Sequence, residues 1–195
     1  MTIGLPTGFV PDTFSLRLQT TQRVNSSPFG GSEQVVDMLN DRWVISLSLP
    51  NRTRDQAAAI EAFIAALRGM TDTANLYHFG RKVPRGTMRG TPQSQAAGQG
   101  SGSLLINSVV GATLLAGDMI GVEGLLLQVA SDCTANGSGI ITAPLVNRLR
   151  KAISAGSAVT WDRPTAPFRL ATASGVMHVP GYAQSISLDF VEAIV

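Results

Sequence analysis

The sequence predicts a mainly β protein that carries a single amphipathic helix and an inserted small all-β unit. Three observations lead there. Glycine (20) and proline (10) interrupt the 195 residues at short intervals, cutting the chain into pieces of strand length. Apolar and polar residues alternate in the first and last segments, the period of a half-buried strand. Only one stretch follows the helical period. The apolar share of 44% can build a core, and the charged share is 14%, against about 25% in a typical domain. That combination excludes a disordered, solvated chain and leaves a surface suited to facing other subunits.

The elements follow in order. Phe14, Leu16 and Leu18 alternate with Ser15, Arg17 and Gln19, which predicts a strand with one apolar face. Pro28, Gly30 and Gly31 supply turn chemistry, with Phe29 as a plug at the tip. A second strand covers 42–49, with Trp43, Ile45, Leu47 and Leu49 on one face and Pro50 as its stop. A helix then covers about 53–68. Thr53 and Gln56 have capping-box spacing, Asp55 suits the first turn, and Ala57, Ile60, Phe63, Ile64 and Leu67 form one stripe. Arg68 closes the last turn and Gly69 suits the C′ position. A rod of about 22 Å with so narrow a stripe has to lie across a sheet. Residues 76–79 read as the next strand, which places His78 within it.

Residues 91–101 read as a Gly/Gln/Ser-rich linker. Residues 102–164 read as an inserted barrel-like unit of short strands. These cover 104–110, 119–122, 125–129, 140–143 and 159–161, with turns at Gly117-Asp118, Glu123-Gly124 and Asn136-Gly137. Ile186, Leu188 and Phe190 form a last strand in the style of the first, so the simplest architecture joins both ends in one sheet. The core domain is then 1–95 plus 165–195, interrupted by the insert.

A search for chemistry returns little. The single cysteine, Cys133, sits in a turn and excludes an intrachain disulfide. His78 and His178 have no partner in sequence, and no G-x-S-x-G elbow is present. One cysteine and two distant histidines make no zinc spacing. Residues 132–139 lack the ligand ladder of a calcium loop. GQGSGS at 98–103 lies in a linker and is no phosphate loop. No enzymatic activity and no cofactor are expected. No run of 18 apolar residues predicts a membrane helix, and the opening MTIGLPTGFVPD lacks the basic region of a signal peptide. One charge cluster stands out, GRKVPRGTMRG at 80–90, with Arg81, Lys82, Arg85 and Arg89 and no acid. Such a loop contacts phosphates, pairs with an acidic surface on a neighbouring subunit, or is simply solvated. No aromatic residue interleaves with the cations, so stacking on single strands is not supported.

Several motifs together carry a family resemblance. Ser27-Pro28-Phe29-Gly30-Gly31 is followed by the Trp43 to Leu49-Pro50 strand and the helix AAAIEAFIAALRGM. Further on come GDMIGVEG at 117–124 and DCTANGSG at 132–139. From about residue 14 to 195 the chain resembles the distal tail proteins, the baseplate-hub minor tail proteins of long-tailed bacteriophages. The resemblance implies a tube-like β-sandwich or split-barrel core with one helix and an inserted domain. It implies a ring, usually hexameric, that joins the tail tube protein to the baseplate hub protein in the virion. DNA would pass through its lumen without specific binding. No catalytic residue comes with the family. Candidate interface residues are Pro28, Phe29, Gly30 and Gly31 in the hairpin, and Arg81, Lys82, Arg85 and Arg89 in the basic loop. The alternatives are another tail tube or tail completion ring, a carbohydrate-binding adsorption module built on 102–164, and a cell-wall hydrolase. Trp161 is the lone aromatic platform of the insert, which weighs against sugar stacking. The missing nucleophile, metal site and paired carboxylates weigh against hydrolysis.

Overall fold

A computed structural model describes residues 1–27, 30–38 and 40–194. Six strands form the main sheet, in the order Thr2–Ile3, Thr73–Tyr77, Thr165–Leu170, Ile186–Glu192, Arg42–Leu49 and Thr13–Gln19. The first pair is parallel and the others are antiparallel. Arg42–Leu49 pairs with the early strand on one side and the last strand on the other, so the two ends of the chain do share a sheet. The register sets Ile45 between Leu16 and Phe190, and Leu47 between Phe14 and Leu188. Alternation therefore delivers these large apolar side chains to the same face and leaves Val44 and Val191 on the other.

That face is the first core. Ile45, Leu49, Leu76, Phe168, Leu188 and Phe190 are fully buried there, and the helix Arg54–Ala66 lays Ala57, Ile60, Phe63 and Ile64 over them. The opposite face is open and mostly uncharged, with Ser15, Ser46, Ser48 and Ser187 among its side chains and Asp189 held by the Ser46 hydroxyl at 2.5 Å. One-sided cover is the ordinary condition of an antiparallel sheet.

Both ends of the helix differ from the sequence expectation. The Thr53 side chain makes no capping bond, and the first turn closes instead through the Ala57 N–H on the Thr53 carbonyl. Asp55 in that turn meets the positive end of the dipole. The helix ends at Ala66, so Arg68 lies beyond its last turn. Arg68 (φ 47°) and Gly69 (φ 67°) are both left-handed, which turns the chain back so that the Asp72 N–H reaches the Leu67 carbonyl. The strand predicted over 76–79 runs Thr73–Tyr77, which leaves His78 in the following turn, where its Nδ1 accepts the Arg81 N–H at 2.9 Å.

The middle of the chain is also β, but its strands form three small sheets and no closed barrel. Met119–Val122 lies between Leu125–Gln128 and Val159–Thr160. Ser103–Asn107 lies between Ile140–Pro144 and Gln93–Ser94, and Thr113–Leu114 pairs with Cys133–Thr134. Closure requires every strand to pair on both sides. Strands of two to five residues, separated by left-handed glycines such as Gly111, Gly117, Gly124 and Gly139, do not meet that condition. The stretch 91–101 is not a free linker either. Gln93–Ser94 is a strand, Ala97 bridges to Ile153, and Ser94 is fully buried.

These small sheets wrap a second apolar cluster that includes Leu104, Ile106, Leu114, Ile120, Val122, Leu127 and Ile141. Met119 and Leu126, by contrast, belong to the first cluster. Period-two alternation on this hairpin thus sends successive side chains into two different cores, and the hairpin is the seam between them. Among the described residues no helix is long and apolar enough to cross a membrane.

Candidate subunit interface

The early hairpin outgrows the sheet. Beyond Gln19 and before Arg42 the chain forms a second ribbon, Gln22–Ser26 paired with Glu33–Asp37. Every residue of both strands is exposed, including Val24, Val35 and Val36. At about 3.4 Å per residue the ribbon projects by roughly 17 Å. Of the predicted tip residues, Pro28 and Phe29 lie outside the described residues. Gly30 is a turn residue, and Gly31 takes a left-handed φ of 61° that suits glycine, beside the Ser27 N–H to Ser32 carbonyl bond at 2.9 Å.

The basic loop is ordered by the insert. Asp118, buried with its side chain 1% exposed, accepts backbone N–H groups from Arg85 (2.8 Å), Gly86 (3.0 Å) and Leu115 (2.8 Å). A buried carboxylate is tolerated because donors replace its water. The Arg81 guanidinium donates to the Gly117 carbonyl at 2.7 Å and that of Arg85 to the Ala116 carbonyl at 2.5 Å. Arg89 donates to Gly86, Met88 and Pro84 carbonyls and sits 5.0 Å above the Trp161 ring. Lys82 is exposed, and its carbonyl accepts the Arg163 N–H. Arg85 is also within ion-pair distance of the Asp118 carboxylate, at 3.9 Å, whereas Arg81 and Arg89 are oriented by neutral carbonyls that leave their charge uncancelled, so the loop remains a positive surface of fixed shape.

The four predicted cations are therefore brought together, and the hairpin is separate from them. Strand order puts the ribbon at the Thr13–Gln19 edge. The loop follows Thr73–Tyr77, four strands away, about 19 Å at ordinary strand spacing. Because Thr13–Gln19 and Thr73–Tyr77 run in the same direction, ribbon and loop leave the same end of the sheet.

A second polar cluster was not singled out from the sequence. Glu192, with a side chain 1% exposed, binds Arg150 through both oxygens at 2.5 and 2.8 Å. It also accepts the Trp43 N–H at 2.9 Å, while Arg150 donates to the Asp41 carbonyl at 2.8 Å. Trp43 adds an indole N–H bond to the Leu126 carbonyl at 2.8 Å. This cluster fastens the insert to the sheet beside the shared Met119 and Leu126 packing. Its signal was legible. The alternation of Ile186, Leu188 and Phe190 carries Glu192 onto the apolar face, where a carboxylate needs a cation.

Among the described residues, His78 lies in a turn against Arg81 and Phe14, and Cys133 lies in the Cys133–Thr134 strand. Burial pushes the His78 pKa below the ordinary histidine value, with Arg81 adding to the effect. The ring edge meets Phe14 at a centroid distance of 4.9 Å. Burial also pushes the Cys133 thiol up, which makes it a poor nucleophile. Among the described residues, no three His, Cys, Asp or Glu side chains stand close enough to hold a metal. Trp161 gives its indole N–H to the Gly90 carbonyl at 2.9 Å and packs against the second core beneath Arg89. Compared with known proteins, the chain matches no protein-family model and no curated sequence.

Proposed function

We propose that this chain is a structural ring component of a phage tail tip, joining the tail tube to the baseplate hub and turning over no substrate. The observation that carries the reading is the exposed ribbon. An isolated two-stranded ribbon is marginal in water, and this one has valines on both faces with no core of its own. It makes physical sense as an arm covered by another subunit. The order of strand, ribbon, strand, helix, strand, insert and strand agrees with what the resemblance implies. The low charge and the open face of hydroxyl side chains suit a subunit hidden on its flanks. A head-to-tail contact that closes by rotation makes a ring.

Native mass at micromolar concentration, followed by negative-stain imaging, tests the reading. A mass near six protomers with annular particles is expected. A chain that stays monomeric alone, and also fails to cap tail tubes assembled in the same cells, overturns it. The carbohydrate-binding reading has less support, because the Trp161 ring lies between Arg89 and the second core.

A further inference from the structure

We infer that the acidic face of the ribbon in one copy seats on the Val109–Val110 cleft beside Arg89 in the next copy. This rests on the ring reading and names the acceptor that reading lacks. The ribbon register pairs Val24 with Val35, Gln22 with Asp37 and Ser26 with Glu33. Residues 33, 35 and 37 project from the same face. That face is a valine pair, 56% and 57% exposed, flanked by two carboxylates. No cation lies on it. Arg23 is paired with Val36 and faces the other way.

The insert carries the matching pattern. Val109 and Val110 are adjacent in the chain and strongly exposed, at 70% and 61%. They line a surface cleft of about 350 Å³ with Thr87 and Arg89. The Arg89 guanidinium is fixed by three carbonyls and is not neutralised by a carboxylate among the hydrogen bonds and ion pairs described above. An apolar pair bordered by acids thus meets an apolar pair bordered by Arg89.

The placement fits a ring. Ribbon and basic loop leave the same end of the sheet from positions four strands apart. Donor and acceptor are different surfaces of one copy, so a contact between them is head-to-tail, the heterologous kind that closes into a ring when its rotation allows. A two-fold dimer would instead need one patch to match itself, and two carboxylate-flanked faces repel.

Cysteine pairing reads this contact directly. Val35→Cys and Val110→Cys chains, each on a Cys133→Ser background, are mixed under mild oxidation after their melting temperatures are matched to the parent. We expect a covalent heterodimer at least tenfold above the dimer formed by either chain alone, since a disulfide needs Cβ atoms about 4 Å apart. A chain with both cysteines gives a ladder ending at the ring size. Independently, Glu33→Lys with Asp37→Lys on the cysteine-free parent lowers the assembled fraction at least tenfold by native mass. An assembled ring without the 35–110 bond, or with 35–35 bonds alone, overturns this acceptor and leaves the ring reading standing. A chain that assembles neither alone nor on tail tubes overturns both.

Discussion

The Asp118 carboxylate accepts the Gly86 N–H at 3.0 Å, and the Gly86 backbone passes so close to Thr113 that no side chain fits between them. A Cβ at position 86 would stand 2.2 Å from the Thr113 carbonyl oxygen, a backbone atom that cannot swing aside. Gly86→Ala should therefore destabilise the fold by on the order of 3 kcal/mol, at the upper end of ordinary overpacking. Urea unfolding measures it. A midpoint within error of the parent would mean that the loop and the Thr113 strand are not in this contact.

Asp118→Asn keeps the shape but turns one of the two accepting oxygens into an N–H₂, which then faces the Arg85 N–H on one side or the Gly86 and Leu115 N–H groups on the other. Each mismatched buried group costs about 1–3 kcal/mol. The expected loss lies in that range, accompanied by faster amide exchange at Arg85 and Gly86. Exchange that accelerates nowhere in 81–89 would refute the role given to Asp118 in shaping the basic loop.

Arg150→Met strands the Glu192 carboxylate in the interior, and breaking a buried pair in this way costs about 3–5 kcal/mol. Combining it with Glu192→Leu should recover part of the loss. Recovery stays incomplete because the Trp43 N–H and the Asp41 carbonyl both lose their partners. Strictly additive losses in the double variant would show that the two side chains do not interact.

His78 holds its proton less tightly in the fold than in the unfolded chain, chiefly through burial and then through Arg81. Its contribution is fully present above the unfolded value of about 6.5 and is lost as pH falls toward the lower folded value. His78→Asn should flatten the fall in melting temperature below that pH relative to the parent. Parallel curves for the two proteins would count against it.

Asp41 has the opposite sign. Burial and the neighbouring Asp37 raise its pKa, against the pull of Arg148 and Arg150, and one buried side-chain oxygen has no hydrogen-bond partner. The charged form is therefore disfavoured in the fold, and that cost grows as pH rises from the ordinary carboxylate range of about 4. Asp41→Asn should raise the melting temperature at pH 7 and change it little at pH 3. An equal shift at both values would assign the effect to packing rather than charge.

Local pattern made much of the fold legible. The alternation from Phe14 to Leu18 and from Trp43 to Leu49 predicted strands that the structure places within a residue of those limits. The helix stripe was right in its buried residues, and the Glu123-Gly124 turn has the two left-handed residues that a tight hairpin requires. The errors fell where long-range packing decides. The low-complexity stretch 91–101 became strand because Ser94 bonds Ser154 and Ser157, about sixty residues away in sequence. The basic loop showed its charges but not their directions, since those of Arg81 and Arg85 are set by carbonyls of the Ala116-Gly117 turn.

The sequence by itself determined where strands and the helix form and which face of each is apolar, because those properties depend on side chains two, three or four residues apart. Only the tertiary structure decided that Met119 and Ile120 enter different cores, that Glu192 finds Arg150, and that ribbon and basic loop leave the same end of one sheet. Those outcomes depend on which strands pair and in which register. Pairing is settled by complementarity between segments distant in the chain, which no short window of sequence contains.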